Sequence, residues 1–457
     1  MPRITDVSRK YLEPSCSSRP SDWIALQQAP QENKMNLTQT EKKVIEKIQE
    51  QELVDLAAGL GNVTAPSGYE QPLADYVEDW LRRNGFFCYQ QNLCEGRSNT
   101  IGVLKGKGEG KTLIFNSHLD SDSGIPSRPG GPIPPGPEIR IEGRRIFGKT
   151  VQNDRGPMAA FMIAAKAIKD ADIAMRGDVI MTMVVGEIGM GPIDEFQGPK
   201  YIGKGYGSRH AVAHGVMGDF ALVAESTDFG VTWVEAGAAY FKITVHGQGY
   251  YTPRLPLRGA LQDTPNPIVK MAAVIYAIEE WAARYEKNHQ VEYPVGVMVP
   301  KVAIGAIRGG LPFSPSLGVN TCSIYVDVRV PPPTSFADVE KELKEAVRSA
   351  GFGGEVELYM ARRGYEGKNV EPLVDAIRKS HRIIRGAECP PVSTPEISMW
   401  RDVNIFNEVG ISSATFGFPR KTAAGFSEKF VEIDDLVDCA KMYALVALDI
   451  CGVDSTP

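Results

Sequence analysis

From Thr38 onward, apolar residues recur at helical spacing through TEKKVIEKIQEQELVDLAAGLG and the run stops at glycine, which predicts a helix. A second helix is expected over YEQPLADYVEDWLRRNG, ending at Gly85. Beyond it the texture becomes short apolar runs separated by helical ones. TLIFNSH, DVIMTMVVG and DFALVAE read as buried strands, and PMAAFMIAAKAI reads as a helix. Strands apolar on both faces, with helices between them, predict an α/β sheet covered on both sides.

After Glu225 the pattern changes. YFKITVHG, VAIGAIRG, TCSIYVDVRV and VELYMARRG read as strands, interleaved with helices over PIVKMAAVIYAIEEWAARYEK and FADVEKELKEAVRSAG. This predicts a compact α+β insert over residues 238–363, a usual size for a small domain. The α/β pattern resumes with PLVDAIRKSHRIIRG, SATFGF and IDDLVDCAKMYALVALDICG. A first catalytic segment, 35–237, and a second, 364–457, therefore flank the insert. Residues 1–34, rich in Ser, Pro and Gln, are expected to form a flexible extension without chemistry, with Met35 an alternative start.

Composition changes this picture little. The 457 residues are 43% hydrophobic and 23% charged, a globular balance with room for two domains. A net charge of −6 offers no basic patch for nucleic acid or an anionic membrane. No run approaches the roughly 18 to 20 apolar residues that cross a bilayer, and the N-terminus has charges without a signal-like apolar core. Seven cysteines without a CxxC pair argue against a disulfide framework or a cysteine-built zinc site. The expected location is cytoplasmic.

The informative residues are polar groups at the ends of buried strands, where open α/β sheets gather ligands. His118 and Asp120 follow TLIFN; they suit a metal ligand with a carboxylate holding its other ring nitrogen, or simply a polar strand end. Asp154 opens an apolar helix, as a ligand or as an N-cap. Glu187 and Glu225 each end a strongly apolar strand, where a carboxylate is costly unless paired or metal-bound. His210 and His214, four apart, would share one helix face but read as surface residues, and His246 reads as structural.

In this order, NSHLD, IEGRRIFGKTVQNDRGPMAA, EIG, AEST, ITVHG and VDVR resemble the aminoacylase, carboxypeptidase and desuccinylase family of co-catalytic zinc peptidases. The resemblance runs from about residue 45 to 455. It implies an α/β, zinc-peptidase-like catalytic domain with a mixed sheet, interrupted by an α+β lid or dimerisation domain through which a homo-oligomer forms. Carried over position by position, it makes His118, Asp154 and Glu225 one metal site, with Asp154 the residue that bridges two ions in the family, and matches Glu187 to the second site.

Three of the family's functional positions are altered. The last histidine ligand falls at Gly425, the general base at Gly186, and the lid histidine at Tyr251. The expectation is one labile divalent ion per chain, manganese ahead of zinc, cobalt or iron, with Glu187 as base and Asp120 beside it in the catalytic set. With no second ion or lid histidine to hold an oxyanion, the resemblance extends to hydrolytic deamination of 5-nitroanthranilate to 5-nitrosalicylate and ammonia, a step in aromatic-compound breakdown. Hydrolysis of N-acyl amino acids or peptides is the alternative, and an inactive binding protein the non-enzymatic one. A small anionic substrate calls for cationic and aromatic partners: Arg401, Arg308, Tyr250 and Tyr251 are the candidates, with Arg329 read as structural.

Overall fold

The computed structural model describes residues 37–454 except 127–130, 135–138, 258 and 424–427. The expected N-terminal extension lies outside these residues, and so does Gly425. Helices α1 (Gln39–Ile45), α2 (Glu50–Asn62) and α3 (Gln71–Arg83) lead into a hairpin of β1 (Phe87–Cys94) and β2 (Arg97–Leu104). Then come β3 (Leu113–His118), α4 (Gly156–Asp170), β4 (Val179–Val184), α5 (Tyr206–Ala213) and β5 (Phe220–Ala224). The middle of the chain supplies β6 (Gly237–His246), α6 (Pro267–Asn288), β7 (Val302–Gly309), β8 (Thr321–Val330), α7 (Phe336–Ser349) and β9 (Gly354–Arg362). Helices α8 (Glu371–Arg385) and α9 (Val403–Glu408), strand β10 (Ser412–Phe416) and helix α10 (Ile433–Cys451) close it.

The first sheet has the order β1-β2-β4-β3-β5-β10. Strands β4, β3, β5 and β10 are parallel, whereas β2 pairs antiparallel with both β1 and β4. Alternation explains why these strands are apolar throughout. Leu113, Phe115, Met181, Met183 and Leu222 face a core built with α2, α4, α8 and α10, and Ile114, Ala221 and Val223 face one built with α5 and α9. The single long helix expected from Thr38 is instead two, α1 and α2, parted by a turn over 46–49.

The second sheet, ordered β7-β8-β6-β9, is antiparallel throughout. One of its faces packs Phe241, Ile243, Ile324 and Val326 against Val274, Ile278, Val339 and Leu343 of α6 and α7. The other stays open enough that strand polarity alternates, as in Thr321–Val330. No described helix is long and apolar enough to cross a membrane.

Candidate metal centre

Register places the chemistry. Strand β3 runs in phase with β4, His118 opposite Val184, and with β5, Asn116 opposite Val223. The residues just past these carboxyl ends therefore come together: His118, Glu187 and Glu225. The turn before α4 adds Asp154. A donor atom each from His118, Asp154 and Glu225 lies within 4.8 Å of the others, and all three residues are buried. His118 Nε2 is 3.9 Å from Glu225 Oε1 and 4.0 Å from Glu187 Oε2.

Among the described residues two atoms of this cluster have no hydrogen-bond partner although they are buried: His118 Nε2 and Asp154 Oδ1. Such orphans are costly in a protein interior, and each points to a missing partner. An imidazole nitrogen and two carboxylates around one point are the donor set of a divalent cation. The residues present fit a metal ion.

Their surroundings hold them in place. His118 Nδ1 lies 2.8 Å from the backbone carbonyl of Asp120 and 3.5 Å from its carboxylate. The tautomer is thus set chiefly by the carbonyl rather than by the carboxylate the sequence suggests. Asp120 itself accepts from Ser67 Oγ at 2.6 Å and from the backbone N–H groups of Glu187 and Ile188 at 3.1 and 3.0 Å. Fully buried, it ties the β3 end to the Glu187 loop and lines no part of the cavity. Asp154 is not a helix cap: Arg155 holds the N-cap position of α4, and Asp154 Oδ2 accepts from Ser117 Oγ at 2.6 Å.

Electrostatics agree with a cation-seeking site. Burial and the negative charge of Glu225 raise the Asp154 carboxyl well above its usual range. Burial works against the His118 imidazolium, but the Asp120 hydrogen bond and the charges of Asp154, Asp120 and Glu187 outweigh it and raise its pKa. Burial raises Glu187 too, despite the opposing charge of Lys204. The neighbouring Asp402 is pushed up to about 8, by burial first and then by Glu187.

The cluster borders a cavity of about 420 Å³. Its cationic lining is Lys204, Lys301, Arg329, Arg401 and Arg420. Arg329, read from sequence as structural, is on this wall, with a nitrogen 3.0 Å from Asp327. Arg401 has no free fork. Its nitrogens reach Glu225 Oε2 at 3.0 Å, Glu235 Oε1 at 2.9 Å and the Glu396 carboxylate. These bonds hold its guanidinium against Glu225. Lys204 and Arg420, which sequence reasoning passed over, are the better-placed cations. Arg420 Nη2 is 3.5 Å from Glu225 Oε2 and its Nε donates to the Ser226 carbonyl at 3.0 Å.

The other expected substrate contacts are elsewhere. Tyr250 and Tyr251 line a separate cavity with Gln248, Arg254 and Asp263, and the Tyr250 hydroxyl accepts from Asn266 Nδ2 at 2.8 Å. Arg308, on β7, is paired with Glu195 and sits over the Phe196 ring. None of the three lines the cavity at the metal cluster. His210 and His214 stack with ring centroids 3.8 Å apart and join no metal-type cluster among the described residues, and His246 pairs with Glu355 at 3.2 Å.

At Gly186 the backbone has φ +67°, and a Cβ there would sit 2.6 Å from Arg97 Nη2 and 3.0 Å from the Ile202 carbonyl. Arg97 is itself locked in a buried pair with Glu70, Nη2 to Oε1 at 2.6 Å. A side chain at 186 has neither room nor an ordinary backbone conformation. Gly186→Ala should therefore cost about 1–3 kcal/mol in urea unfolding, and Gly186→Glu should lose stability without gaining activity. An active, stable Gly186→Glu protein would show that the loop can rebuild around a carboxylate.

An imidazole and carboxylates gathered at the carboxyl ends of parallel strands make a metal-type site on an α/β sheet. Comparison with known proteins narrows this. The profile of the family described as Peptidase family M20/M25/M40 matches residues 114–449. The chain belongs to that family. An N-formyl-4-amino-5-aminomethyl-2-methylpyrimidine deformylase of Halalkalibacterium halodurans is 22% identical over 430 residues, 88% of this chain and 95% of that one. Among solved structures, the di-peptidase Dug1p of Saccharomyces cerevisiae superposes with a TM-score of 0.66 at 12% identity, covering 90% of this chain and 98% of its own. Human carnosine dipeptidase 1 gives 0.65 at 14% identity, covering 91% and 100%. At such identities the structural likeness establishes the fold alone.

Proposed function

We propose that the chain hydrolyses the amide C–N bond of a small anionic substrate, using one divalent ion held by His118, Asp154 and Glu225. The observation that carries this reading is the pair of orphaned atoms, His118 Nε2 and Asp154 Oδ1, beside a cavity walled by cations. The deformylase and dipeptidase names of its relatives support amide cleavage over aromatic deamination. When bound, such an ion supplies Lewis acidity and brings the pKa of a water to about 7.

The chain's own groups do the rest. Glu187, buried beside His118, takes the proton from the attacking water and passes it to the leaving nitrogen. Arg420, Arg329 and Lys301 hold the substrate's anionic end. Asp120 and Arg401 act through His118 and Glu225. Deamination of 5-nitroanthranilate stays as the second reading for one reason: Gly186 leaves the family's base position without a carboxylate.

Metal-free protein would be titrated with Mn²⁺ and Zn²⁺, then assayed on N-formyl and N-acyl amino acids and dipeptides, with 5-nitroanthranilate in parallel. One ion per chain with amide cleavage is the expected result. Ammonia release from the aromatic amine alone would put the second reading first, and absence of metal uptake would sink both. Affinity for the ion should rise with pH. Neighbouring carboxylates raise His118, burial raises Asp154, and any proton these donors hold must leave when the ion binds. The slope should be about tenfold per pH unit for each proton displaced, checked by calorimetry in buffers of different ionisation enthalpy.

A further inference from the structure

Lys204 is a buried lysine whose purpose the reaction above leaves unassigned. It is 6% exposed, and its ammonium lies 3.9 Å from Glu187 Oε1 and 5.1 Å from the centre of the Trp400 ring. Among the described residues its Nζ makes no hydrogen bond, so its three donors are open to whatever enters the cavity it lines. Lys301 and Arg420, by contrast, have side chains 59% and 27% exposed.

The loop that carries Lys204 is built to present it. Its φ is +50°, a region a lysine seldom adopts. Both flanking residues are glycines with no space for a side chain: a Cβ at Gly203 would lie 2.1 Å from the Ile188 carbonyl, and one at Gly205 would lie 2.7 Å from Trp400. Backbone bonds tie the loop to the turn that carries Glu187. Gly203 N–H donates to the Met190 carbonyl at 3.2 Å and Gly205 N–H to that of Gly186 at 3.1 Å. Arg362 Nε donates to the Lys204 carbonyl at 2.9 Å. Strained backbone held by its surroundings is a mark of functional positions. Cation and carboxylate are thus fixed as one unit.

We propose that Lys204 is a catalytic residue that receives the oxyanion of the reacting carbonyl, supplying the positive charge that a second ion supplies in two-metal sites. The proposal rests on the amide-hydrolysis reading. As the water oxygen bonds to the carbonyl carbon, the π pair moves onto the carbonyl oxygen. Lys204 Nζ–H donates a hydrogen bond to that oxygen and keeps its own proton. The pair then returns, the C–N bond breaks, and the nitrogen leaves with the proton that Glu187 carried from the water. A fixed cation aimed at developing charge, in a site with little water, is among the larger contributions a protein makes to rate.

The test compares Lys204→Met, Lys204→Arg and Lys204→Ala with the wild type on whichever amide of the panel is cleaved. Lys204→Met should lose about 100- to 1,000-fold in kcat, with KM within about threefold and the same metal content by elemental analysis. Lys204→Arg should retain part of the activity, and ethylamine should restore at least about tenfold to Lys204→Ala while leaving the wild type unchanged. A raised KM with unchanged kcat would make Lys204 a substrate anchor and overturn the proposal. Loss of metal from Lys204→Met and Lys204→Arg alike would make it structural and overturn it too. If the wild type cleaves no amide, the functional reading fails separately. Lys204 is then judged by calorimetry with a phosphinate dipeptide analogue: weakening of about 100-fold in Lys204→Met supports the oxyanion role, and unchanged binding refutes it.

Discussion

Replacing Glu187 with glutamine is expected to cut kcat by about a thousandfold while leaving metal content and thermal stability nearly intact. Its carboxylate is buried, 4.0 Å from His118 Nε2 and 3.9 Å from Lys204 Nζ, with no arginine bound to it among the described residues. Glutamine keeps the shape and one acceptor oxygen but cannot take a proton. Burial, the leading influence on this group, raises its pKa, the direction that strengthens a carboxylate as a base. The alkaline side of the rate profile should not change in the variant, whereas the acidic limb that reports the free carboxylate should disappear. If the metal leaves along with activity, Glu187 is a ligand and the count of ions must be revised. If activity persists, the raised Asp402 carboxyl is the next base to test.

Why Glu187 and Glu225 were visible in the sequence, and Lys204 was not, is a matter of solvation. A carboxylate at the end of VIMTMVV or FALVA stands out because desolvation makes it costly, and strand register then carries both to one edge. The α/β order, the buried strands and the α6–α7 insert follow from periodicity for the same reason: they are averages over many residues. Lys204 sits in an irregular loop, where no period speaks. Its one signal was local, a lysine between two glycines in YIGKGYG. Arg420 follows β10 by four residues and meets Glu225 only through the β5–β10 pairing. The partners that place the arginines and tyrosines expected at the substrate are mostly invisible along the chain. Arg401 is held by Glu225 and Glu235 from distant segments as well as by nearby Glu396, Tyr250 and Tyr251 line a different cavity, and Arg308 is paired with Glu195. Neighbouring polar residues in sequence were also a poor guide to mutual contacts, as the carbonyl partner of His118 shows.

Arg401→Met should be among the most damaging single changes to stability in the protein, by about 3–5 kcal/mol. The guanidinium is 2% exposed and bonds to Glu225, Glu235 and Glu396, all buried. Methionine fills much of the volume but removes the cation shared by three buried carboxylates, leaving only Arg420 beside Glu225 and Glu396. Burial already pushes Glu235 up to about 7, even with Arg401 beside it. Without that charge its pKa must rise further, so Glu235 takes up a proton at neutral pH and the loss is largest in alkaline buffer. The unfolded acid, near its ordinary value of about 4.3, releases that proton, so stability falls as pH rises through the folded value. Glu235→Gln alone should be mild, because Thr415 Oγ1 still donates to it at 2.9 Å. Combined with Arg401→Met it should recover about 1–2 kcal/mol, a coupling expected only for groups in contact. Urea unfolding of the four proteins at pH 6 and pH 8.5 decides the matter. A stable Arg401→Met protein with only a raised KM would return this arginine to the substrate. Destabilisation relieved by Glu235→Gln would instead show that Arg401 exists to hold Glu225 where the metal cluster needs it.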